Sequence, residues 1–222
     1  MKRQISSLFL VGVCSASLLP VVVLADSSAS DVTANVEAGT GAGEPEEPIM
    51  TKPGHTNGEF VIKAVSDFSF PSVPIGETRS GTIEKDKAYG IEVVDVTGSG
   101  TGWHVKVTLP SLTVADGANK GEELKGWELT IPSAEITSKN SSLAAEEAPV
   151  GKVVNLSANV SAVVFAAEAD KGMGRYTNIF ERYRAGQTPT RTTGVQLSIP
   201  NSARKAAYSG KLEWTLLNVP KS

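Results

Sequence analysis

The chain has 222 residues, of which 20% are charged and 6% aromatic, with a net charge of −3. This composition fits a globular protein with a modest core rather than a disordered or membrane-embedded one. Without a basic surplus, nucleic acid is not an expected partner.

The first residues read as a secretory signal. Lys2 and Arg3 supply the positive start, an apolar run extends from Ile5 to Leu24, and Val23-Leu24-Ala25 offers the small residues a signal peptidase needs. Ser6, Ser7, Ser15, Ser17 and Pro20 interrupt the run, and no basic stop-transfer cluster follows Ala25. The expectation is a signal peptide over residues 1–25, cleaved before Asp26, with no membrane span afterwards. The single cysteine, Cys14, lies inside it; Val13 before it and the apolar residues after it are unlike a lipidation site. The processed chain then has no thiol, and disulfides, zinc-thiolate sites and cysteine nucleophiles are excluded. Losing Lys2 and Arg3 leaves 19 basic against 24 acidic residues.

Residues 26–57 read as an acidic linker containing glycine and proline. Asp26, Asp31, Glu37, Glu44, Glu46 and Glu47 accompany the Gly39–Gly43 stretch and Pro45, Pro48 and Pro53. Such a stretch buries too little apolar surface to offset its ordering entropy, so disorder is expected. It could serve as a solvated spacer or as an acidic tail that binds a partner.

Residues 58–222 show short alternating runs. Trp103, Val105, Val107 and Leu109 share one parity and His104, Lys106 and Thr108 the other, the pattern of a half-buried strand. Trp127, Leu129 and Ile131 repeat it. A longer run sets Leu156, Ala158, Val160, Ala162 and Val164 against Asn155, Ser157, Asn159 and Ser161. Val195, Leu197 and Ile199 form another strand, and Leu212, Trp214 and Leu216 the last. Turn signals at 98–100, 116–121 and 200–201 separate them, and only Ser141 to Glu147 has short-helix character. The predicted fold is all-β: an antiparallel β-sandwich or barrel-like single domain with a long functional loop from Glu168 to Gly194.

No catalytic or cofactor constellation accompanies this scaffold. His55 sits in the linker and His104 on the outward face of its strand, with no neighbour to complete a metal set. A serine nucleophile would lack its base, and no phosphate-cradling loop is present. Glu122-Glu123 and Glu146-Glu147 read as solvated loop doublets. The expectation is a binding protein, not an enzyme, with no cofactor. After Trp214-Thr215-Leu216 the sequence offers no hydrophobic tail and no covalent sorting signal; Leu109-Pro110-Ser111-Leu112-Thr113 resembles one only superficially.

Three stretches together resemble the WxL-domain family of Gram-positive surface proteins. The first runs from Gly90 through Val93-Val94-Asp95 and a Gly-rich turn to Gly102-Trp103-His104-Val105. The second is Gly172-Met173-Gly174 followed by Val195-Gln196-Leu197-Ser198-Ile199-Pro200. The third, Tyr208 to Pro220, carries the Tyr-x-x-x-Leu-x-Trp-x-Leu ending. The proximal copy departs in having Trp-His-Val, and Trp127-Glu128-Leu129 spells the triplet outside both motifs. The resemblance spans Phe60 to Pro220. It implies non-covalent attachment to the cell wall with peptidoglycan as receptor, and assembly with companion wall-associated surface proteins.

Parity points Trp103 and Val105, and likewise Trp214 and Leu216, towards the core, where each pair would contribute several kcal/mol. The alternative has the indoles exposed and stacked on sugar rings. The 168–194 loop offers Arg175, Tyr176, Arg182, Tyr183, Arg184 and Arg191 as candidate contacts with the wall or a partner, since aromatics stack and arginines pair with carboxylates or phosphates. Its bland alternative is a loop folded over the sandwich with solvated charges.

Overall fold

Short runs rich in Val, Ile, Thr and aromatics, punctuated by glycines at positive φ, give strands and turns throughout. The computed structural model describes residues 34–50 and 57–219; the expected signal peptide, Cys14 and His55 lie outside them. Residues from Val36 onward form one compact unit. In chain order the strands are β1 Phe60–Val65, β2 Thr78–Ser80, β3 Ala88–Asp95, β4 Trp103–Thr108, β5 Thr113–Val114, β6 Glu128–Ile131 and β7 Glu135–Thr137. They continue with β8 Val150–Gly151, β9 Val154–Leu156, β10 Ser161–Ala167, β11 Gly174–Arg182, β12 Gln196–Ser198, β13 Tyr208–Ser209 and β14 Glu213–Leu217.

All strand pairs are antiparallel. They form sheets in the orders β1-β3-β11-β7, β14-β4-β10-β8 and β2-β12-β6-β9, with a small β13-β5 ribbon. The sheets pack together without closing a barrel, so the expected sandwich-like all-β fold holds. The core joins Ile91 and Val93 of β3, Trp103, Val105 and Val107 of β4, Phe165 of β10, Tyr176 and Phe180 of β11, and Trp127. Phe180 and Trp214 stack with centroids 6.2 Å apart, so β11 and β14 face each other across it.

Four expectations change. The long 156–164 run is two strands, because Asn159 takes φ 61° in a turn that moves the chain from β9, paired with β6, to β10, paired with β4. The short-helix segment is a turn, closed by Glu147 N and Ala148 N donating to Ala144 O; no helix occurs among the described residues. His104 is buried rather than outward, its Nδ1 2.8 Å from Val219 O, because the chain returns over it after β14. The 168–194 stretch is not one loop: its middle is β11, a nine-residue strand between β3 and β7. Both faces of β11 are covered, which removes the alternation that marks a strand in sequence.

The described part of the expected linker also departs from disorder. Gly39 N donates to Val96 O at 2.9 Å and Met50 N to Ala88 O at 2.8 Å, while Ile49 makes a parallel bridge to Ala88. Ile49 and Glu46 are buried. Two of the segment's acidic groups are not left to water: Glu46 faces Arg175 and Glu47 faces Arg182, both on β11.

Candidate functional site

The two tryptophan motifs, far apart in sequence, are adjacent strands. In the β14–β4 ladder Trp214 stands opposite Val107, Leu216 opposite Val105 and Leu217 opposite His104. On the other side of β4, β10 places Phe165 against Val105 and Ala167 against Trp103. Trp103 is 0% exposed, meets Phe165 edge-on at 4.9 Å, and donates its indole N–H to Gly172 O at 3.1 Å. Gly172 has φ 72°, and a Cβ there would fall 2.4 Å from Ala167 Cβ and 2.9 Å from Trp103 Nε1. The Gly172-Met173-Gly174 turn therefore caps the proximal tryptophan, a relation the sequence spacing did not disclose.

Trp214 and Leu216 differ from that pair. They are half-buried, and β14 forms an edge of its sheet, so the indole is covered by Phe180 without being sealed from solvent. Trp103 and Val105 are core residues; the distal pair sits between core and surface. Trp127 is buried, and its indole N–H has no partner among the described residues.

Of the six candidate contact residues, only Arg184 is exposed. Arg175 donates to Glu92 through Nη2 at 2.6 Å and Nε at 3.2 Å, and to Glu44 O at 2.6 Å. Tyr176 is buried in the core, its hydroxyl donating to Ser142 O at 2.7 Å, and burial raises its pKa. Arg182 bridges Glu47 at 3.0 Å and Glu135 at 2.9 Å, and the Glu47 hydrogen bond raises its pKa. Burial alone would raise the Glu47 carboxyl, but Arg182, with Thr137 and Lys139, outweighs it and holds the group below the usual carboxylate range. Arg191 reaches Glu181 through Nε at 2.8 Å, and Tyr183 packs half-buried against the core. Arg175 and Arg191 thus serve buried carboxylates, and Arg182 a half-buried and an exposed one.

The residues that organise this charge were not singled out in sequence. Glu92 is 0% exposed and accepts from Glu46 N at 2.7 Å; Lys63, 1% exposed, donates to Gly41 O at 3.2 Å. Burial, then the neighbouring Arg175 charge, lowers the Lys63 pKa. The only signal for either was a charged residue amid an otherwise apolar strand. Lys139 N and Asn140 Nδ2 donate to the Glu46 carboxylate at 2.9 and 3.1 Å, completing the clasp over residues 39–50.

No helix among the described residues is long and apolar enough to cross a membrane. A family model described as "WxL domain surface cell wall-binding" matches residues 24–220. No curated protein and no solved structure matches the chain.

Proposed function

The chain belongs to the WxL family of surface cell wall-binding domains, and from that membership we propose that it binds peptidoglycan directly and acts by binding rather than catalysis. Its place is the extracellular cell wall surface. Removal of residues 1–25 during export is part of the proposal, as is a non-covalent hold on the wall. The family match over residues 24–220 carries the reading. The half-buried Trp214 on an edge strand supports a contact there, because an aromatic face open on one side can stack on a sugar ring. Exposed Arg184 is the one candidate arginine placed to meet a wall carboxylate or phosphate.

A second reading has its own observation. Among the described residues β14 has a strand partner only on its β4 side, and an open strand edge can accept a further strand from a companion surface protein. Sedimentation of the processed protein with purified, polymer-stripped, partner-free peptidoglycan tests the choice. Retention is expected. Loss of retention there, with retention on whole walls carrying the companion proteins, would replace direct binding with the second reading.

A further inference from the structure

A second buried cation, Lys63, holds the N-terminal segment beside Arg175. It is 1% exposed and sits in the bulge of β1, where the ladder to β3 shifts between the Ile62–Val93 and Ala64–Glu92 pairs. Its Nζ donates to Gly41 O at 3.2 Å and to Asn57 Oδ1. Both of these acceptors are neutral oxygens. Burial and the Arg175 charge lower the Lys63 pKa, outweighing Glu92 and Glu44, whose charges favour the ammonium. A buried ammonium donating to neutral oxygens is costly. This corner of the fold would gain from a negative charge at position 57.

The residue there can acquire one. Asn57 precedes Gly58, and glycine has no Cβ to hold its nitrogen away from the preceding side chain. Asn57 is exposed, so water reaches its carboxamide. The ammonium bonded to Oδ1 polarises the carbonyl and faces the oxyanion that forms when its carbon is attacked. The N-terminal segment would feel the change, since Gly58 O lies so close that Gly41 has no room for a Cβ.

We propose that Asn57 is a site of intramolecular deamidation, and that the carboxylate formed there pairs with Lys63 and fastens residues 39–50 to the sheet. The Gly58 nitrogen attacks Asn57 Cγ, a C–N bond forms, and the bond from Cγ to Nδ2 breaks. Ammonia leaves with the proton from the Gly58 amide, and a five-membered imide remains. Water then opens the ring at either carbonyl, giving aspartate or isoaspartate. Both products place a carboxylate at residue 57 at the net expense of one water for one ammonia.

Peptide mapping by mass spectrometry, on the processed protein aged at neutral pH, tests this. The peptide holding residue 57 should become one mass unit heavier, as a mixture of aspartate and isoaspartate. Lys63→Met should slow the conversion about tenfold, by removing the donor to Oδ1. Asn57→Asp, the product made directly, leaves Lys63 in place and keeps the question open to measurement if Lys63→Met fails to fold. It should raise the urea midpoint above that of the parent and slow exchange of the Gly39 amide about fivefold. Intact Asn57 under conditions that deamidate a free peptide of residues 56–59 would overturn the proposal. So would undiminished conversion in a folded Lys63→Met protein, a Lys63–Asn57 cross-link formed in place of deamidation, or an Asn57→Asp protein no more stable than the parent.

Discussion

Arg175→Ala isolates the ion pair that fastens the N-terminal segment to the sheet. Glu92 is fully buried and takes two hydrogen bonds from that guanidinium. After the substitution its remaining donors are Glu46 N at 2.7 Å and Thr177 Oγ1 at 3.5 Å, both neutral. The attraction lost is about 4 kcal/mol for unit charges about 4 Å apart at an effective dielectric of about 20. Removing one partner of a buried pair costs about 3–5 kcal/mol, since the other charge stays inside. At about 2–4 °C per kcal/mol for a domain of this size, the melting temperature should fall by about 6–20 °C. The segment should loosen too, because Arg175 also holds Ala42 O and Glu44 O. Urea unfolding followed by tryptophan fluorescence gives the stability, and hydrogen exchange gives the protection of residues 39–50. The double variant Arg175→Met, Glu92→Met should recover part of the loss in stability, because it removes both charges of the pair together, while Lys63 and Glu46 stay buried beside it. A single variant within about 0.5 kcal/mol of the parent, with unchanged exchange at residues 41–46, would refute a structural role for this pair.

The two motif tryptophans should separate in stability: Trp103→Ala costs about 3–5 kcal/mol as a fully buried truncation, and half-buried Trp214→Ala about half of that. Thermal melts compare them, and a folded Trp214→Ala protein then reports on wall retention free of unfolding. Gly172→Ala places a Cβ against Ala167 and Trp103 at a positive φ, so a loss of about 1–3 kcal/mol is expected, together with a changed near-ultraviolet signal from Trp103. Glu47 has a folded pKa below its unfolded value of about 4.3, so its contribution is full above that value and fades as pH falls through the folded pKa. Urea midpoints from pH 7 to pH 3 should therefore fall less steeply for Glu47→Gln than for the parent.

Strand content and the identity of the domain were legible because they rest on local pattern. The β4 and β14 runs alternate in sequence except at Leu217, and period-two alternation is what a half-buried strand writes into sequence. β11 was not legible for the converse reason. Tyr176, Asn178 and Phe180 are buried, and so are Thr177, Ile179 and Glu181 between them; a strand covered on both sides has no polar phase, and its arginines looked like loop surface. The acidic segment misled in the same way. Compositional reasoning assigns carboxylates to water unless a partner is known, and the partners of Glu46 and Glu47 lie on β11 and in the loop after β7. Partnership over such sequence distances belongs to the tertiary fold and leaves no local trace.

The same distance explains why the tryptophan motif marks the family so well while saying little about the site. β4 and β14 close on each other late in the chain, so register between them must be fixed by side-chain fit rather than by a hairpin turn. Trp103 anchors β4 on its other side, against β10 and the turn after it, through Phe165 and the Gly172 carbonyl, and any smaller residue would leave a void. Trp214 supplies the fit from the edge, where Phe180 covers its ring without enclosing it. A residue can thus be demanded by packing on one side and remain available to a ligand on the other. In this chain that dual condition is met by Trp214 and not by Trp103, which is why a wall-contact test belongs on the distal motif and a folding test on the proximal one.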